Sequence, residues 1–269
     1  MTKNRIVIVL TACVNPNGMS YTVLQDTNER KRQYIDALSF YLKNTDLPIV
    51  FVENSNTDFS NEFQQWIATG RLEFITFDGN SGFDKIKGKG YGEALMLLYA
   101  IKHSTFISQS KYIIKITGRL QVKNISQLAK SHWLLLNDVW RCNVEHEESL
   151  ATTVFIARPS TLSILLERHK EEITEENRGH YWIENVLARA FVTDKDVKLQ
   201  LVPFATPPQF DALSGTSQSQ YVIYDKFTNT TDNLHYASII MKRRGARLLY
   251  LALRIALYYS TVKHRTISL

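Results

Sequence analysis

Short apolar runs alternate with helical segments through the first half of the chain, and that order limits the fold more than any single motif. RIVIVL (residues 5–10) reads as a first strand, followed by a polar loop and a helix over 29–43 with Ile35, Leu38 and Leu42 on one face. PIVFV (48–52) gives a second strand that ends in polar Glu53, Asn54 and Ser55. A helix over 61–69 and the strand LEFITF (72–77) follow. After a loop rich in glycine and lysine, GEALMLLYAIKHS (92–104) is a strong helix and KYIIKI (111–116) a fourth strand. The periodicities and breakers support each assignment. Strands separated by helices predict an α/β fold: a mainly parallel sheet flanked by helices, with right-handed crossovers and ligands bound beyond the carboxyl ends of the strands.

The second half is less regular. WLLLNDVW and TTVFIA are strand candidates, PSTLSILLERH and GHYWIENVLARAF are helices, and VKLQLV is a late strand. Residues 204–222 carry the proline, glycine and serine content of a long loop of the kind that serves as a lid. A chain of 269 residues with 44% hydrophobic content can bury a substantial core. The expected organisation is one domain over 1–236 and a basic tail over 237–269. The apolar run near the N-terminus is too short for a signal peptide or a span. Cys13 and Cys142 form neither a disulfide framework nor a zinc pattern, which fits a reducing, cytoplasmic setting.

The net charge of +6 is concentrated near the C-terminus. From Lys242 onward the chain carries Arg243, Arg244, Arg247, Arg254, Lys263 and Arg265 and no acidic residue, and the remainder is close to neutral. The same region holds LLYLALRIALYY (248–259), which would rise about 18 Å as a helix, short of a bilayer core of about 30 Å. On a continuous helix Arg243, Arg247 and Arg254 fall within roughly 40° of one another. Two readings stand: a helix lying in an anionic membrane interface, or one packed on the protein's own core with its arginines in water. Nucleic acid is not an expected partner, because no stacking-aromatic or groove-reading motif accompanies the bases.

Several clusters could carry chemistry. KIKGKGYGEAL (85–95) sets Gly88, Gly90 and Gly92 among Lys85, Lys87 and Lys89 before a helix, a plausible anion site, though its spacing matches neither a P-loop nor a dinucleotide turn. In YIIKITGRLQV (112–122), Lys115 lies inside a strand and Arg119 at its end. A buried cation needs an anion, so Lys115 either pairs with a carboxylate such as Glu53 or Glu93 or helps Arg119 clamp a phosphate. Glu184 lies near the start of an apolar helix, where an acid complements the helix dipole or, facing a cleft, takes a proton. His146 among Glu145, Glu147 and Glu148, and Asp194 with Asp196, read as solvated turns rather than metal ligands.

LTACVNP, NERKRQYIDALSFYL, IVFVENSN, KGKGYGEAL, YIIKITGRL and GTSQSQY, in that order over about residues 5–225, resemble bacterial glycosyltransferases of the GT-A type that build capsule, O-antigen or other surface polysaccharides. The resemblance implies sugar transfer from a nucleotide-sugar donor, UDP-linked, to a lipid-linked oligosaccharide. It places Thr11, Ala12, Glu53 and Asn54 around base and ribose, and Lys89, Gly90, Lys115, Gly118 and Arg119 around the diphosphate. The family's fourth strand usually ends in a DxD motif that binds a divalent ion; here residues 115–119 stand there, so the expectation is turnover without a metal cofactor. Ile183, Glu184 and Asn185 resemble the family's xED-like motif, which makes Glu184 the expected base of an inverting transfer, with His180 and Asp211 as fallbacks. Arg30 and Arg32 are expected to meet donor or acceptor, or to be an exposed helix face. Gly215, Ser217 and Tyr221 are expected to close over the donor. The tail would then hold the enzyme peripherally at the inner membrane. The alternatives are a nucleotidyltransferase that makes the activated sugar and a non-catalytic membrane-bound scaffold with a transferase-like fold.

Overall fold

The computed structural model describes residues 6–19, 22–130, 139–144, 146–176, 181–211 and 226–267, with the side chains at 211, 226–230 and 259–267 outside the description. The first strand, β1 (Ile6–Ala12), is buried along its whole length. It is followed by α1 (Thr27–Asn44), which starts earlier than expected because Asp26 caps it, accepting the Glu29 amide at 2.9 Å. Next come β2 (Ile49–Glu53), a 3-10 turn over Ser60–Phe63 in place of the start of the expected helix, α2 (Gln64–Ala68) and β3 (Leu72–Thr76).

The stretch of glycines and lysines is not a loop. After a 3-10 turn over Lys85–Lys87, α3 (Gly88–His103) begins within it, followed by α4 (Thr105–Ser108), β4 (Tyr112–Thr117), β5 (Gln121–Val122) and α5 (Ile125–Lys130). Of the expected strand WLLLNDVW, residues 133–138 lie outside the described residues, and β6 is Val139–Cys142. Then come β7 (Val154–Ala157), α6 (Pro159–His169), a 3-10 turn over Lys170–Glu172, α7 (Ile183–Thr193), β8 (Gln200–Leu201) and β9 (Phe210–Asp211). The chain ends in α8 (Lys226–Arg244) and α9 (Arg247–Ile267).

The main sheet has the order β3-β2-β1-β4-β7-β6-β8, and among the described residues only β7 runs against its neighbours. This is the α/β class the alternation predicted. A small antiparallel pair, β5 with β9, lies beside it. One core fills the face covered by α3, α6, α7 and α8, and the other the face covered by α1 and α5. Burying both faces explains why the central strands β1 and β2 read as nearly continuous apolar runs.

The tail departs from the expected single helix. The 236/237 boundary falls inside α8, and Gly245, at φ +85°, ends that helix. The Ala246 amide donates to the Met241 carbonyl and the Gly245 amide to the Lys242 carbonyl, both at 3.0 Å, the bonding of a Schellman cap. Arg243 therefore does not share a helix with Arg247 and Arg254, and it pairs with Glu147 at 3.0 Å. α9 packs Leu249, Tyr250 and Leu253 against the core. Leu248, Leu251, Ile255 and Tyr258 form an exposed stripe on its other side. No helix among the described residues is long and apolar enough to cross a membrane.

Candidate active site

A cleft of about 590 Å³ opens where the carboxyl ends of β1 and β4 and the residue after β2 meet α3 and α7. β1 lies between β2 and β4, so the cleft forms where successive crossovers leave in opposite directions, the usual ligand position of an open α/β sheet. Thr11, Ala12 and Asn54 line it. The Asn54 side-chain oxygen is buried and has no hydrogen-bond partner. Thr152 and Thr153 line it as well, because β7 is reversed and its beginning lies at this edge.

Two of the expected binding residues instead hold the fold. Glu53 is fully buried and accepts from the amides of Val14 (2.9 Å) and Thr57 (2.8 Å), from the Ser55 amide and hydroxyl, and from the Thr76 hydroxyl. Those bonds occupy the carboxylate and fix the turns after β1 and β2, and Glu53 is not part of the cleft lining. Lys115 is fully buried and pairs with Glu93 at 2.6 Å, the salt-bridge alternative, and it is not part of the cleft lining. Gly118 is required by proximity: its amide donates to the Thr11 carbonyl at 2.8 Å.

Arg119 does reach the cleft. Its Nη1 donates to Gln33 Oε1 at 2.9 Å and its Nε is buried without a partner, and among the described residues no carboxylate pairs with it. Arg30 also lines the cleft, but it is buried rather than an exposed helix face. Its Nε and Nη2 donate to the Cys13 carbonyl (2.9 and 2.6 Å) and its Nη1 to the Leu24 carbonyl (3.2 Å), so it braces the loop after β1. Burial pushes the Cys13 thiol up to about 11, which leaves it a poor nucleophile. Arg32 lies on the exposed side of α1, bonded to Glu29 and close to Asp36, away from the cleft.

The anion seat expected of the glycine-lysine stretch is filled by the protein itself. Glu175 accepts the Lys89 amide at 3.1 Å at the start of α3, and a methyl group on Gly88, at φ +78°, would lie 2.2 Å from the Glu175 carboxyl carbon. A side chain at position 88 would expel that carboxyl, which is why glycine stands there. Lys85 donates to Asn80 and Lys87 pairs with Glu171, so these two cations also have partners within the protein. Lys89 and Gly90 line the cleft beside Glu175. Burial raises the pKa of the Glu175 carboxyl.

Glu184, the second residue of α7, lines the cleft. Thr152 Oγ1 donates to its Oε1 at 2.6 Å. Burial raises the pKa of this carboxyl, the Thr152 bond works against that shift, and the charges of Glu93 and Lys115 act in opposite senses. Trp182, half exposed, flanks Glu184 in the lining. Glu175 and Thr152 were missed in the sequence: neither lies in a motif, and each reaches the cleft through a loop next to a helix or strand end. His180, Gly215, Ser217 and Tyr221, with residues 212–222 of the expected lid, lie outside the described residues, and Asp211 is described only as a β9 residue paired with Gln121.

Nothing at the end of β4 suits a divalent ion, since Thr117 and Arg119 present a hydroxyl and a guanidinium there. Among the described residues no group of three or more His, Cys, Asp or Glu could hold one.

No family model matches the chain, and no curated protein matches it either. Among solved structures it is similar to mouse xyloside xylosyltransferase 1 (13% identity, TM-score 0.43, 75% of this chain and 84% of that one). It is also similar to 4-diphosphocytidyl-2C-methyl-D-erythritol synthase from Anaerococcus prevotii (11%, 0.41, 87% and 96%). A third is TarS 1–349 from S. aureus (11%, 0.42, 89% and 65%), of which this chain spans just under two thirds. At such identities and scores, function has to be argued from the site itself.

Proposed function

We propose that the protein is a glycosyltransferase that moves a sugar from a UDP-linked donor to a lipid-linked oligosaccharide in bacterial surface-polysaccharide synthesis. The observation that carries the reading is Glu184, a half-buried residue at the head of α7 that lines the same cleft as Arg119. In this scheme Glu184 takes the proton of an acceptor hydroxyl as that oxygen attacks the anomeric carbon. The bond from that carbon to the diphosphate breaks on the opposite face, its electron pair leaves on the phosphate oxygen, and the configuration inverts. Arg119, with Lys89 at the rim, meets the charge that grows on the diphosphate, so no metal is required. α9 would lie on the anionic inner leaflet with its apolar stripe in the interface and Arg247 and Arg254 beside the headgroups, which puts the enzyme at the cytoplasmic face next to a lipid-linked acceptor.

The test is a calorimetric screen of nucleotide sugars, with and without chelator, followed by transfer to synthetic lipid-linked acceptors. Glu184→Gln should keep UDP binding and lower turnover by about two to four orders of magnitude. Near-normal turnover in that variant would remove Glu184 from the role. Turnover lost with chelator and restored by manganese or magnesium would refute the metal-free scheme. Pyrophosphate release from a nucleoside triphosphate and a sugar phosphate, without sugar transfer, would assign nucleotidyl transfer instead.

A further inference from the structure

Lys115 faces neither solvent nor the cleft. Its ammonium donates to Glu93 Oε1 at 2.6 Å, to the Thr152 carbonyl at 2.7 Å and to Thr117 Oγ1 at 3.2 Å, which uses all three of its protons. Glu93 comes from α3 and Thr152 from the segment before β7, so one buried cation joins three parts of the chain beneath the cleft. The same Thr152 turns its hydroxyl to Glu184 at 2.6 Å.

We propose that Lys115 is a positioning residue for the base: it ties Glu93 and Thr152 together beneath Glu184 and, through them, fixes the orientation and charge environment of that carboxyl. The inference rests on the reading of Glu184 as the base. One carboxyl group, Glu93 on α3, and one cation, Lys115 on β4, act on Glu184 from the surrounding elements, and Glu184 in turn acts on Glu175 after α6. Without the cation, Glu93 and Glu184 become two poorly solvated carboxyls that compete for a proton, and the Thr152 carbonyl loses the donor that holds it.

Carboxyl carbon-13 NMR on the full chain, with the Glu184 signal assigned from its loss in Glu184→Gln, follows this titration directly. Transfer rate against pH and UDP affinity are measured on the same variants. Lys115→Met should raise the Glu184 midpoint by about one pH unit and move the acid limb of the rate profile with it. UDP affinity should stay within about twofold, since Lys115 has no part in the cleft lining. Thr152→Val leaves Lys115 in place and should raise the midpoint too, so the test does not depend on how well Lys115→Met folds. Glu93→Gln combined with Lys115→Met removes both charges and should bring the midpoint back to within about half a unit.

An unmoved midpoint in Lys115→Met and Thr152→Val overturns the inference. So does a loss of UDP affinity of about tenfold or more in Lys115→Met at an unchanged midpoint, which would return the lysine to the diphosphate. If Glu184→Gln transfers sugar normally, the base assignment falls and takes this inference with it. If that variant is inactive and the midpoint does not move, only the role of Lys115 falls.

Discussion

The amide of Gly118 donates to the Thr11 carbonyl at 2.8 Å, and a methyl group on Gly118 would stand 2.6 Å from that oxygen. The contact holds the end of β4 against the end of β1, where Thr11 and Thr117 pair in register. Gly118 is not at positive φ, so its requirement is for space. Gly118→Ala should push these strand ends apart and cost about 1–3 kcal/mol of stability, read as a lower urea midpoint at an unchanged slope.

Arg119 is the cleft cation with an unused buried donor. Arg119→Met should weaken UDP binding by about one to two orders of magnitude, the expected cost of a charge-assisted hydrogen bond. Arg119→Lys should recover part of that affinity, since it restores a charge without the planar fork. Calorimetry reads both variants, and equal affinity in wild type and Arg119→Met would remove the contact.

His169 lies between Glu172 Oε1 at 2.6 Å and Asp194 Oδ1 at 3.0 Å, with Arg168 on Asp194 and Arg189 on Glu172. Burial, the largest single influence, disfavours the imidazolium, and the bonds to the two carboxylates outweigh it, so its pKa is raised. A raised folded-state value means that the stabilisation is complete below the ordinary imidazole pKa of about 6.5 and fades as pH climbs through the raised one. Urea unfolding on either side of neutrality should show that loss, and His169→Gln should flatten it.

Leu248, at 85% exposure, heads the apolar stripe of α9 that continues through Leu251, Ile255 and Tyr258. Leu251→Asp with Ile255→Asp should abolish flotation with vesicles rich in anionic lipid and leave the unfolding midpoint unchanged, because the packed face is that of Leu249 and Leu253. Arg247→Glu with Arg254→Glu should weaken the same binding most at low salt. A wild-type chain that ignores such vesicles would end the membrane reading.

The sheet was legible because its strands are mostly apolar and its breakers are strong; the first four strands and most of the helices lie where periodicity puts them. The start of α3 was not, because glycine reads as a loop former and its use here depends on Glu175, far away in sequence. Lys115 shows the limit more sharply. A lysine within a strand announces a buried cation and the need for an anion, but the choice between Glu93 and a phosphate is made by tertiary packing. Glu53 and Glu93 stood as examples of that anion beside a phosphate, and Glu53 is engaged by the turns around it while Glu93 takes the lysine. The break at Gly245 was likewise hidden by basic residues on both sides that continue one helical pattern.

The reversal of β7 gives the cleft two walls of different origin. One is the set of strand ends from β1, β2 and β4, tied to each other along their full length. The other, the approach to β7 and the head of α7, belongs to the second half of the chain and joins the first sheet segment through the β4 and β7 pairing. Descendants of such a chain could therefore diversify at residues 146–149 and around Trp182, reshaping one wall of the cleft, while the wall built by the strand ends is inherited unchanged.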